Sequence, residues 1–212
     1  MRAPGQSARR RFTATRWTTA RQHWGHWLSL AILTAICLVY IASSDGAGEL
    51  VAAGVVGANF TLAFVGWVVG DVRALPYLWG AIGEEQTAEL LRQLDQTWTV
   101  EHDRPSERGN WDHIVTGPSG VYLIDSKRLS RPAKVVGDGL VSGRLRFSGA
   151  SFRAAAAELA DELGANGRRP WVQPVVVVWG QFIPRQVERE RVIYLAADRL
   201  VPYLQSTVRP GS

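Results

Sequence analysis

Two uncharged apolar runs near the start of the chain constrain its folding more than any other feature. Residues 27–42 contain 16 positions without a charge, and residues 50–70 contain 21. At about 1.5 Å of rise per helical residue, the second run spans ~31 Å and the first ~24 Å, against a bilayer core of roughly 30 Å. The runs predict two transmembrane helices within 27–70, with Trp24, Trp27 and Tyr40 placed where amphipathic rings favour the headgroup layer. Gly66 and Gly70 form a small-residue step suited to packing one helix on the other.

Charge sets the expected orientation. Arg2, Arg9, Arg10, Arg11, Arg16 and Arg21 precede the first run with no acid among residues 1–26. A cationic tail of this kind stays in the cytoplasm, so the chain crosses a bacterial inner membrane twice and both termini are cytoplasmic. Arg9 to Phe12 also fit part of a twin-arginine export pattern. Cleavage of the first run would still leave residues 71–212 cytoplasmic. The net charge of +5 therefore belongs to the tail, because residues 71–212 hold 18 basic and 17 acidic groups. A single cysteine, Cys37, excludes an intrachain disulfide framework and a cysteine zinc cluster.

The remainder reads as one domain. After a connector over 71–79, residues 83–94 carry an apolar stripe through Ala88, Leu91 and Leu94 at helical spacing, and Glu84 shares that stripe. Glu85 shares a solvated face with Glu89 and Arg92. Two β-rich runs, 110–116 and 121–127, flank the turn Gly117-Pro118-Ser119-Gly120 and predict a hairpin. A turn centred on Pro118-Ser119 pairs Ile114 with Leu123 and places Asp112 opposite Asp125. Opposed carboxylates about 5 Å apart destabilise a sheet unless a cation lies between them. Period-two alternation puts Lys127 on the face of Asp125. Two hard oxygen donors suit Mg²⁺ or Mn²⁺, and the lysine can hold a phosphate oxygen, a combination that suits phosphodiester hydrolysis.

Several stretches resemble the nuclease-related domain, NERD, of the PD-(D/E)xK endonuclease-like superfamily. They are Gly80-Ala-Ile-Gly83-Glu84, Trp98 to Asp103, Gly109 to Val121 and Ile124-Asp125-Ser126-Lys127. The resemblance covers residues 80–205, with 206–212 as a tail. It implies an α/β fold with a restriction-endonuclease-like αβββαβ core behind the transmembrane hairpin. It also implies that Asp112 is the acid of the second strand, Asp125 and Lys127 the (D/E)xK pair, and Glu84 the first-helix acid. Asp112, Asp125, the Ser126 carbonyl and Glu84 are then the metal ligands, and nucleic acid, DNA ahead of RNA, is the substrate. Two features depart from that pattern: Trp111 replaces a small aliphatic residue, and the helix over 151–163 lacks a glutamine.

Further along, residues 134–147 read as a β excursion, 153–163 as a helix, 172–179 as a buried parallel strand, 192–195 as a short strand and 198–204 as a terminal helix. His113 is expected in the core on the face of Trp111 and Val115, with Asp103 and Asp138 as turn acids. Arg128, Arg131, Arg168 and Arg169 read as solvated surface that could touch phosphates. Two other functions fit the same chain. One is a non-hydrolysing module that binds nucleic acid or a protein at the lipid bilayer. The other is a structural membrane component, whose mark would be Lys127 neutralising Asp125.

Overall fold

The computed structural model describes residues 4–22, 24–43, 48–107, 109–164 and 168–206. The chain divides into two compact units, residues 10–78 and residues 1–9 with 79–212. It opens with three helices, α1 (Gln6–Gln22), α2 (Trp24–Ser43) and α3 (Gly48–Leu91). α2 and the first half of α3 cover the two apolar runs, and their large side chains lie on the surface of the unit, with Ile36, Val39, Phe60 and Phe64 all exposed. Asn59 Nδ2 donates to Thr34 Oγ1 at 3.3 Å and joins α3 to α2.

Among the described residues no helix is long and apolar enough to cross a membrane, so the expected transmembrane hairpin is not borne out there. The expected loop containing Asp45 and the surroundings of Gly66 and Gly70 lie outside the described residues.

The connector expected over 71–79 is instead helical, and α3 runs through Pro76 as one element. A proline removes one backbone hydrogen bond from a helix, but here it stands between Leu75 and Tyr77 with no adjacent glycine to make a turn. α3 ends at Leu91 rather than Leu94, where Gln93 and Leu94 donate to the carbonyls three residues back and tighten the chain into a turn.

The second unit continues with β1 (Thr99–Ser106), β2 (Gly109–Gly117), β3 (Gly120–Arg128), β4 (Lys134–Val136), β5 (Gly139–Ser142), β6 (Leu145–Phe147) and α4 (Gly149–Leu163). It closes with β7 (Val172–Trp179), β8 (Gln186–Arg189), β9 (Val192–Ala196), a 3₁₀ turn over Ala197–Arg199 and α5 (Leu200–Ser206). A six-stranded sheet runs β1-β2-β3-β7-β9-β8, and β4-β5-β6 form a separate three-stranded sheet. β1, β2 and β3 are antiparallel neighbours, while β3, β7 and β9 pair in parallel. This mixed sheet fits the expected α/β nuclease-like core, and β8 adds an antiparallel edge that the sequence reading did not include.

Alternation along the strands feeds two apolar layers. Ile114, Leu123, Val176 and Val178 join Phe152, Ala156 and Leu159 of α4, while Val115, Tyr122, Ile124, Val175 and Val177 join Leu91, Leu200 and Leu204. β7 is therefore buried on both sides, as its unbroken valine run predicts. Gly117 is obligatory at the hairpin, because a Cβ there would fall 2.1 Å from the Trp98 ring.

Candidate functional site

The β2–β3 register is the expected one: Ile114 opposes Leu123, His113 opposes Ile124 and Gly117 opposes Gly120. Asp112 and Asp125 lie one step beyond the last pair, where the ladder opens. Both carboxylates line a cleft of about 140 Å³, together with Asn110, Trp111, Phe152 and Glu158. Ser126 donates its backbone N–H to Asp112 Oδ2 at 3.2 Å, which fixes one acid against the strand that carries the other. Lys127 Nζ pairs with Asp125 Oδ1 and lies 4.9 Å from the centre of the Phe147 ring.

The electrostatics are those of crowded carboxylates. Burial pushes the Asp112 carboxyl well above its ordinary range, and Asp125 and Glu84 push it further. Glu84, 9% exposed, is raised to about 7 by burial and by the charges of Asp103 and Asp125. Burial works against the Lys127 ammonium, but Asp125, Asp112 and Glu84 outweigh it and hold its pKa above the usual value. Thus Glu84, Asp112, Asp125 and Lys127 share one electrostatic neighbourhood, three carboxylates to one ammonium.

Behind the strand pair lies a buried polar chain. Ser126 Oγ donates to Thr87 Oγ1 at 2.8 Å and lies 3.4 Å from His113 Nε2. Thr87 Oγ1 also receives Trp179 Nε1 at 2.9 Å and donates to the Gly83 carbonyl at 3.0 Å. His113 Nδ1 meets His102 Nδ1 at 2.8 Å. Burial, then His102, lowers the His113 pKa to about 3, so the ring is neutral. His113 is a core histidine, as expected.

Three residues differ from the sequence reading. Asp103 is an interior strand residue rather than a turn acid: it is 2% exposed, adopts φ 52° and accepts from Asn110 Nδ2 at 2.7 Å. That left-handed kink lies next to the break in strict alternation, and Trp111 packs with Ile114 and Phe152 instead of with His113. Its buried Nε1 has no partner among the described residues, leaving an unused donor on a residue that lines the cleft. Glu85 is the third, because the chain start reaches it: Arg9 Nε lies 2.6 Å from Glu85 Oε1, and the Gly5 N–H donates to neighbouring Glu84. Contacts separated by 76 residues leave no periodic trace.

Glu158 escaped the sequence reading, and Asn110 entered it only as part of the β2 stretch, with no role in the site. Glu158 accepts from the Glu107 N–H at 3.2 Å and occupies the α4 face of the cleft, where its spacing from Phe152 and Ala155 could have flagged it. The cleft face of α4 offers no glutamine, as its sequence requires. Arg128 reaches Gln86 and lies 5.0 Å over the Trp79 ring, while Arg169 pairs with Asp161 at 2.8 Å. Among the described residues no group of three His, Cys, Asp or Glu converges closely enough to hold a metal ion.

Residues 79–179 match NERD, the nuclease-related domain. The match takes in Glu84, Asp112, Asp125, Ser126 and Lys127 and ends with β7. No curated protein and no solved structure matches the chain. The NERD match thus runs from the end of α3 to β7 and includes β1, β2, β3 and α4, the elements that line the cleft.

Proposed function

We propose that this chain is a divalent-metal-dependent phosphodiesterase acting on nucleic acid, held at the bacterial inner membrane by α2 and α3 with both termini cytoplasmic. The observation that carries the reading is the excess of carboxylate over ammonium at the open end of the β2–β3 ladder. Lys127 offsets one negative charge, while burial and the neighbouring carboxylates push the pKa values of Asp112 and Glu84 upward. Hard oxygen donors of this type suit Mg²⁺ or Mn²⁺. Asp112, Asp125, Glu84 and the Ser126 carbonyl are the groups that would hold the ion, and the carboxylates would have to draw together around it, since they do not converge without it. Such an ion supplies Lewis-acid polarisation of a phosphate oxygen and a more acidic bound water.

The chain's own groups do the remaining work. The Ser126 N–H orients Asp112. Lys127 presents a permanent positive charge to a phosphate oxygen. Glu84, with its pKa about 7, can hold or release a proton near neutrality. Exposed apolar side chains along α2 and α3 support membrane attachment, and the Arg9–Glu85 pair supports termini on one side. Compartment reporters fused after Gly46 and after Ser212 should give opposite signals; equal signals would overturn the topology.

The Lys127–Asp125 pair favours a second reading, a non-hydrolysing module whose acids are structural. Asp125→Asn separates the two, with Asp138→Asn as control. A phosphodiesterase loses Mg²⁺-dependent cleavage of DNA and RNA by about 100-fold or more, and loses the rise in Tm that the metal gives the parent. If the parent protein cuts nothing and neither Mg²⁺ nor Mn²⁺ raises its Tm, the second reading stands.

A further inference from the structure

The near balance of 18 basic and 17 acidic groups over 71–212 conceals a strong segregation. Residues 126–153 contain Lys127, Arg128, Arg131, Lys134, Arg144, Arg146 and Arg153 against one acid, Asp138. Those seven cations and one anion give +6, more than the +5 of the entire chain. The other residues of 71–212 therefore carry 11 basic and 16 acidic groups, a net of −5.

The fold concentrates this charge. Register places Lys134 opposite Val141 and Val141 opposite Arg146, so Lys134 and Arg146 share one face of the small sheet across two strand spacings, about 10 Å. Leu140 and Phe147 alternate to the other face and pack into the core. At the β5–β6 turn, Arg146 NH1 donates to the Gly143 and Leu145 carbonyls at 2.8 and 2.9 Å. Arg131 arrives at the same turn, since a Cβ on Gly143 would lie 3.0 Å from Arg131 Cδ. Arg144 is in the turn itself. All four cations are exposed, and among the described residues none has a salt bridge. Asp138, the single acid of the segment, is engaged with Arg153 at 3.2 Å.

Like charges gathered on one turn repel unless an anion joins them. We infer that the outer face of β4-β5-β6, through Arg131, Lys134, Arg144 and Arg146, is the docking surface for the phosphate backbone of the nucleic acid. The inference rests on the proposed nuclease reading and names the element that would deliver the substrate. What favours nucleic acid over an anionic lipid surface is nearness to the proposed site: β6 carries Arg146 on its outer face and, one residue on, Phe147 on its inner face against the Lys127 ammonium. A polyanion seated on Arg146 therefore lies one strand away from the lysine that pairs with Asp125.

The test uses the full chain in an uncharged detergent, with EDTA present so that binding is read without cleavage. Binding of a labelled single strand and a labelled duplex is followed by anisotropy as KCl is varied. Replacing Arg131, Lys134, Arg144 and Arg146 by Gln should weaken binding about 100-fold near 0.1 M salt and flatten the log Kd against log salt slope by roughly 3. The double replacement Arg144→Gln and Arg146→Gln should show about half that change in slope. A charge-matched control removes Arg168, Arg189, Arg191 and Arg199, and should change little. Equal weakening by the control, or no weakening by either docking variant, overturns the surface. So does binding to phosphatidylglycerol vesicles that the variant loses while its DNA binding persists. Failure of the nuclease reading looks different: DNA binding that depends on these four residues, with no cleavage in Mg²⁺ or Mn²⁺.

Discussion

The two units of this protein invert each other's surface chemistry. In residues 10–78 the large apolar side chains face outward: Leu50 is 82% and Ile36 60% exposed. In the sheet unit Glu84, Asp103, Thr87 and His113 are buried among apolar layers. Buried polar groups are costly unless partners satisfy them, and these four have partners: Thr87 alone receives Ser126 and Trp179. Contiguous exposed apolar surface of this kind marks a face that a partner or a membrane can cover. One unit thus buries polar groups in its interior, and the other carries its apolar side chains on its exterior.

Four measurements break or sharpen this contrast. Leu195→Ala, in the fully buried core of the sheet unit, should cost about 3 kcal/mol, whereas Ile36→Ala on α2 should cost under ~0.5 kcal/mol in detergent. Equal losses in chemical denaturation would erase the distinction between the units.

Glu84→Gln should give the next largest effect, and its sign depends on pH. An unfolded Glu84 loses its proton near 4.5 and the folded one near 7, so between those values the folded state binds the extra proton. Its stability contribution is complete below the lower value and is lost as pH rises through the upper one. Metal-free parent protein should therefore lose roughly 3 kcal/mol relative to Glu84→Gln between pH 4.5 and pH 8. Parallel stability curves would show that Glu84 is already ionised in the fold.

Thr87→Val leaves Trp179 Nε1 and Ser126 Oγ without the oxygen they share, and should cost about 1–3 kcal/mol. Smallest is Asn59→Leu, which removes the hydrogen bond to Thr34 and should cost about 1 kcal/mol or less of helical stability, followed by circular dichroism in detergent.

What the sequence disclosed was local. The hairpin register was legible because Gly117-Pro118-Ser119-Gly120 fixes its own turn and alternation does the rest, and that alone puts Asp112 and Asp125 at one cleft. The apolar valine run of β7 announced a strand covered on both faces. Distant contacts were not legible. Nothing near Asp103 in sequence reveals that β1 kinks at φ 52° or that Asn110, across the strand pair, satisfies it. Trp111 changes face beside the same kink, against the period-two rule. Pro76 reads as a breaker, yet α3 absorbs it. The charge segregation was present in the sequence and disappeared only because it was averaged over 71–212.

Ser126 has a consequence for how much variation the site can absorb. Its backbone N–H holds Asp112 in the cleft, while its hydroxyl is anchored on the opposite side of the sheet between Thr87 and His113. The residue between Asp125 and Lys127 thus transmits the inner packing to the outer chemistry. A saturation library at this position, selected for folded protein, should return serine first and threonine or alanine far behind it. The middle letter of the Asp125-Ser126-Lys127 triplet, the one a motif leaves blank, is here spelled by the core.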